Sequence, residues 1–154
     1  MTDTHIRPAT GHDVERLAGW AVAMAMETEH KRLDPDTVRR GIRAVLAQPR
    51  RGAYFIAERG GDAAGTLMLT YEWSDWRNGD WWWIQSVFVA PAHRRRGVYA
   101  ALYAHVLQAA RASGGVCGLR LYVERDNTAA QRAYEALGMA DAGYRMYETA
   151  LARG

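Results

Sequence analysis

An apolar run, Gln85-Ser86-Val87-Phe88-Val89, passes through Ala90-Pro91-Ala92-His93 into three successive arginines, Arg94, Arg95 and Arg96, and then into Gly97-Val98-Tyr99 at the start of an amphipathic stretch. A strand that opens through such a turn into a helix is suited to holding phosphate. The first N–H groups of a helix lack acceptors and carry the positive end of its dipole, and a glycine there lets an anion approach closely. Neighbouring arginines add charge and forked donors. A second strand-to-helix transition follows, in which Leu121-Tyr122-Val123-Glu124-Arg125-Asp126-Asn127 leads to Ala130, Tyr134, Leu137, Gly138 and Met139. Seven residues make about two helical turns, so Asn127 and Tyr134 share a side of that helix. On the residues alone, Asn127 caps the helix and Tyr134 packs beside Leu137.

Together the two segments closely resemble the acetyl-CoA-binding core of the GCN5-related N-acetyltransferase (GNAT) superfamily. Its first signature is Arg or Gln, two free residues, Gly, one free residue, then Gly or Ala. This chain reads Arg94, Arg95, Arg96, Gly97, Val98, Tyr99, with Tyr99 departing from the small final residue. The resemblance implies a pyrophosphate site over residues 94–99. It also implies a bulged strand at residues 85–89 that splays from a parallel strand at residues 119–123, with the pantetheine arm in the gap. Backbone groups of Val87 and Val89 would then bind the cofactor, and an N–H near Val87 or Phe88 would polarise the acetyl carbonyl. Asn127 and Tyr134 carry the second signature, which makes Tyr134 the proton donor to the departing CoA thiolate, a task suited to a phenol.

The base does not carry over. Family members often place a glutamate where this chain has Gln85, and neither Gln85 nor Ser86 is a base at neutral pH. The carboxylates bordering the acceptor region by this resemblance are Glu72 and Asp75 at one end, and Glu27 and Glu29 at the end of the first helix. Glu72 is the first choice. Each has the alternative of being a solvated surface charge.

These residues need a scaffold. Residues 5–8 read as a short opening strand, and Thr10 with Asp13 as a capping box for a helix carrying Val14, Leu17, Ala18, Ala21, Met24 and Ala25. Asp34-Pro35 begins a second helix, ending at Gln48-Pro49. Residues 53–58 and 64–73 form a hairpin about a turn at 59–62, and a polar loop at 74–80 leads to a strand at 81–89 with large apolar groups on both faces. A helix at 98–113, a strand at 119–123, a helix after Asn127 and a final strand at 142–151 complete the order. The expected class is α/β, a GNAT-like mixed sheet splayed at its centre and flanked by helices, in a single N-acetyltransferase domain over residues 1–154. Trp73, Trp76, Trp81, Trp82 and Trp83 fall in one hairpin, most of them expected in the core or covering the sheet.

Composition bounds the function. At 154 residues, 49% apolar and 24% charged, the chain suits one soluble domain, and no apolar run approaches the roughly 20 residues that span a bilayer. Residues 1–5 show no basic region followed by an apolar one, so a cytoplasmic location is expected. Cys117, the only cysteine, is expected as a small buried filler, which argues against an acyl-enzyme, and the five histidines lack metal spacing. Lys31 is the only lysine, and the net charge of +3 is a weak guide to partners. The expected reaction is direct transfer from acetyl-CoA to an amine of a small molecule or peptide, with no nucleic acid, membrane or metal involved and a homodimer compatible with the chain. The alternative is a catalytically silent acyl-CoA-binding module. A nucleic-acid binder is disfavoured because no basic stripe with interleaved aromatics extends beyond the arginine turn.

Overall fold

Thr4–Pro8 (β1) pairs antiparallel with Ala53–Arg59 (β2), β2 with Asp62–Ser74 (β3), and β3 with Gly79–Val89 (β4). Val116–Arg120 (β5) joins β4 in parallel, giving a mixed sheet of order β1-β2-β3-β4-β5. The structure, a computed structural model, describes residues 3–153. The chain divides into two compact units, Met1–Tyr122 and Val123–Gly154, and all five strands belong to the first.

The capping box forms as the sequence predicts, around a short 3-10 turn, Gly11–Asp13, that runs into Val14–Glu29 (α1). Thr10 N–H donates to Asp13 Oδ2 at 2.7 Å and His12 N–H to Thr10 Oγ1 at 3.3 Å. Asp13 is only 3% exposed, and the Arg7 guanidinium meets both its oxygens at 2.9 Å. That guanidinium holds the Asp13 carboxyl below the usual carboxylate range. Pro35–Ala47 (α2) starts with Asp34 accepting from Thr37 N–H and Pro35 in its first turn.

Strand alternation sorts the two faces of the sheet. Val14, Leu17 and Ala18 of α1, Ile42 of α2 and Ile56 of β2 form one core on the first face. On the second, Leu67, Leu69 and Ile84 are buried along with Val98, Leu102 and Val106 of the helix Val98–Ser113 (α3). Gly65 lets α3 close on β3, because a Cβ there would meet Phe88 O at 2.7 Å and the Val98 side chain at 3.2 Å.

In the second unit, Asn127 Oδ1 accepts from Ala130 N–H at 3.1 Å and caps Thr128–Ala136 (α4), which stops before Gly138 at φ 94°. Three expectations are corrected. Residues 142–151 do not form the expected strand: alternation sorts side chains to two sides without by itself setting a backbone ladder, and Tyr144, Met146, Tyr147 and Leu151 are exposed. β5 lies earlier than residues 119–123, because its pairing with Asp80 to Trp83 ends at Arg120. Cys117 is exposed on this terminal strand rather than buried. Of the five hairpin tryptophans, Trp81, Trp82 and Trp83 are half-buried on the sheet as expected of most, while Trp73 and Trp76, at the end of the β3–β4 hairpin, are 60% and 89% exposed.

Candidate functional site

The opening in the sheet begins at one residue. Met68 faces Ser86 and Leu69 faces Ile84, so Gln85 is an extra residue in β4, a β-bulge. β5 covers β4 only as far as Trp83, opposite Arg120. Ala90 N–H donates to Ala64 O at 2.8 Å, which sets the ladder between β3 and β4. Phe88 and Ser86 direct their backbone groups to β3, whereas Val87 and Val89 turn theirs toward the edge that β5 leaves uncovered. Of the two expected carbonyl-polarising groups, the Val87 N–H points to that edge and the Phe88 N–H belongs to the ladder.

At the end of β4, Arg94 folds back. Its Nε donates to Val89 O at 2.9 Å, its NH1 lies 3.0 Å from Glu27 Oε1, and its guanidinium sits 5.5 Å from the Phe88 ring centre. Arg94 and Glu27, expected at the phosphate and acceptor ends respectively, are thus brought together. Arg95 and Arg96 are exposed and form no ion pair among the described residues. Arg95 has φ 62° and Gly97 φ 76°, so the turn bends sharply into α3. Gly97 caps α3 without a side chain, and a Cβ on it would meet nothing within 4 Å. The space beside Gly97 at the start of α3 is therefore open, and the first-turn N–H groups together with the exposed Arg95 and Arg96 guanidiniums make a donor set that fits a pyrophosphate.

Beside the bulge, the side chains on the α1/α2 face form a continuous network. Gln85 Nε2 donates to Thr70 Oγ1 at 2.8 Å, and Tyr122 O–H donates to Gln85 Oε1 at 3.3 Å, spanning the opening between β4 and the chain after β5. Glu72 Oε1 accepts from Trp83 Nε1 at 3.2 Å and Arg120 NH1 at 3.0 Å. Arg120 also lies over the Trp81 ring, 3.8 Å from its centre, and Trp81 has room because its neighbour on β5 is Gly118, where a Cβ would collide with the ring. Tyr122 and Arg120 escaped the sequence reading. Their signal was the register of β5 against Trp81 and Trp83, which a parallel strand of five residues does not reveal in advance.

The remaining expected acceptor residues lie apart from this network. Glu29 pairs with Lys31 at 3.5 Å, and Asp75 sits in the exposed hairpin turn, its carbonyl accepting from Asn78 N–H at 3.4 Å. Among the described residues no three acidic, histidine or cysteine side chains cluster as metal ligands would. In the second unit Tyr134 is half-buried on α4, two turns from the Asn127 cap, and its carbonyl accepts from Leu137 and Met139 N–H.

Residues 15–139 match the model of the Acetyltransferase (GNAT) family. Among solved structures, a possible acetyltransferase from Clostridium difficile 630 is 37% identical, with a TM-score of 0.91 over 97% of this chain and 99% of that one. The aminoglycoside N-acetyltransferase AAC(6')-Iy in complex with CoA is 20% identical, with a TM-score of 0.79 over 97% of this chain and 96% of that one. A ribosomal-protein-alanine N-acetyltransferase from Brucella melitensis biovar Abortus 2308 is 17% identical, with a TM-score of 0.75 over 97% and 100%. The last two are likenesses of fold. The bulged, half-uncovered β4 and the arginine turn it enters fall inside the matched span, and this chain belongs to the GNAT acetyltransferase family.

Proposed function

We propose that this chain, as a single N-acetyltransferase domain over residues 1–154, transfers the acetyl group of acetyl-CoA directly to an amine of a small molecule or peptide. The observation that carries the reading is the edge of β4 at Val87, which β5 leaves uncovered, followed after a short 3-10 turn at Pro91–His93 by Arg94–Gly97 and the N-terminus of α3. CoA bound to a neighbour of the same fold supports the choice of cofactor. Acetyl-CoA supplies the activated acyl group and a thiol leaving group.

Each residue then has one task. Arg95, Arg96 and the first N–H groups of α3 hold pyrophosphate, with Gly97 keeping the approach clear. Val87 and Val89 offer strand-like backbone bonds to the pantetheine arm, and the Val87 N–H polarises the acetyl carbonyl. Tyr134, by its match to the second signature, protonates the departing thiolate. Glu72 takes the amine proton through water. Asn127 holds the helix that carries Tyr134, and Gln85 positions Tyr122 at the acceptor side. A cysteine acyl-enzyme is disfavoured because Cys117 lies exposed on β5, outside the bulge. A cytoplasmic location accords with this chemistry, since acetyl-CoA is an intracellular metabolite.

The test is release of free thiol from acetyl-CoA in the presence of a panel of amines. Turnover with an identified acetylated product supports the reading. Gln85 in place of a glutamate favours a second reading, a silent acyl-CoA-binding module, and tight CoA binding with no turnover across a broad panel would establish it instead.

A further inference from the structure

A cavity of about 140 Å³ lies between α1, α2 and the sheet. Leu17, Trp20, Met24, Val38, Ile42 and Phe88 form its apolar wall. A cavity of roughly 150 Å³ with an apolar wall is large enough for a benzene-sized molecule. The polar residues that reach it add no charge. Thr66 spends its hydroxyl on Phe55 O at 2.7 Å, Ser86 contributes a neutral hydroxyl, and burial pushes the Tyr54 phenol up, keeping it protonated. No carboxylate and no basic side chain lines the space, so an ammonium seated there would lose hydration with no opposite charge to replace it.

The position of the cavity matters as much as its lining. Ser86 and Phe88, on either side of Val87, face the cavity, while the Val87 backbone faces the uncovered edge of β4. A group filling the cavity is therefore held against the same two residues that flank the proposed carbonyl-polarising N–H. The charged groups near the bulge, Glu72 and Arg120, belong to the network at Trp83 and Tyr122 and not to the cavity lining.

We propose that this cavity selects the acceptor, seating a phenyl-sized or branched aliphatic group of a monoamine, so that arylalkyl- and alkylamines are favoured over polycationic amines. This rests on the acetyltransferase reading above. An acyl chain longer than acetyl carries the same apolar chemistry, and the test separates the two sources.

The protein and two cavity-filling variants, Ala21→Leu and Gly41→Leu, are compared. Ala21 lines the cavity from α1, and Gly41 lines it from α2, where an added Cβ would meet nothing within 4 Å and leucine favours the helix. Thermal melting verifies that each variant folds. Calorimetric titration with 2-phenylethanol, a ring without an amine, reads occupancy directly. Steady-state assays compare 2-phenylethylamine with ethylamine and 1,4-diaminobutane, each with acetyl-CoA and with phenylacetyl-CoA. The expected results are binding of 2-phenylethanol that weakens about tenfold or more in a folded variant, and a KM for 2-phenylethylamine about tenfold or more below that for ethylamine, with the ratio collapsing in the variants. Acetylation without ring preference, or variants that alter only the choice between acyl donors, overturns the inference and leaves the acetyltransferase reading intact. Binding of 2-phenylethanol in the cavity with no amine acetylated overturns the acetyltransferase reading, and the acceptor role falls with it.

Discussion

Arg94 ties the turn before α3 to the end of α1: its NH1 lies 3.0 Å from Glu27 Oε1 while its Nε donates to Val89 O at 2.9 Å. The three consecutive arginines are therefore not equivalent. Arg94 fixes the turn, and Arg95 and Arg96 remain available to an anion. Arg96→Glu is expected to weaken acetyl-CoA binding about tenfold or more, the scale of a lost charge-assisted hydrogen bond, and Arg94→Met less. Glu27→Gln, which breaks an exposed pair, is expected to change unfolding free energy by less than about 1 kcal/mol. Calorimetry on the folded variants checks the order, and a larger effect at Arg94 than at Arg96 would reverse the assignment.

Tyr134→Phe keeps the ring and removes the O–H. Turnover is expected to fall by roughly 10²–10⁴-fold, the range for a positioned general acid, with acetyl-CoA affinity preserved. Single-turnover measurements, which isolate the chemical step, are the relevant comparison. A phenylalanine variant with near wild-type rate would return Tyr134 to a packing role.

Glu72 makes a different prediction, in its pH dependence. An amine must be neutral to attack, so Glu72→Gln is expected to lower turnover at neutral pH and to do so progressively less as the pH approaches the pKa of the amine. Because Glu72 also anchors Arg120 and Trp83, Arg120→Met serves as the structural control. If both variants lose rate equally at every pH, Glu72 positions the network and another group or solvent takes the proton.

The Arg7–Asp13 pair should set part of the acid stability. Asp13→Asn removes the charge from a carboxylate that accepts from both Arg7 and Thr10, and about 2 kcal/mol of stability is expected to be lost at pH 7. Folding depresses the Asp13 pKa, so the contribution is complete above the ordinary carboxylate range and disappears as the pH falls through the lower folded value. Denaturant unfolding of both proteins at pH 7 and below about pH 4 should therefore show a gap that narrows on acidification.

What could be read from the residues followed how local the determining force is. The boundaries of α3, the caps at Thr10, Asp34 and Asn127, and the arginine turn come from side chains acting within a few residues, and each was legible. The partners of Glu72, Gln85 and Arg94 lie 48, 37 and 67 residues away in sequence, and they are decided by strand register at the sheet and by the packing of α1 at Arg94. The exposure of Cys117 was missed for a related reason: apolar character shows what burial would gain, whereas tertiary packing decides whether cover exists. The 142–151 segment has the alternation of a strand, but a ladder requires a second backbone that the alternation does not supply.

Gln85 makes β4 change phase halfway along its length. Because the strand carries one residue more than its partner, Trp81 and Trp83 on one side of it and Ser86 and Phe88 on the other all emerge on the same face of the sheet. Removing that residue would not shorten the strand locally. It would drive one half of β4 through the sheet, sending either the tryptophans or the cavity wall to the side of α3. Between Ile84 and Ser86, then, the chain stores information in its count as well as in its composition. A substitution at Gln85 edits one contact, whereas a deletion there would exchange the two surfaces of the molecule along half a strand.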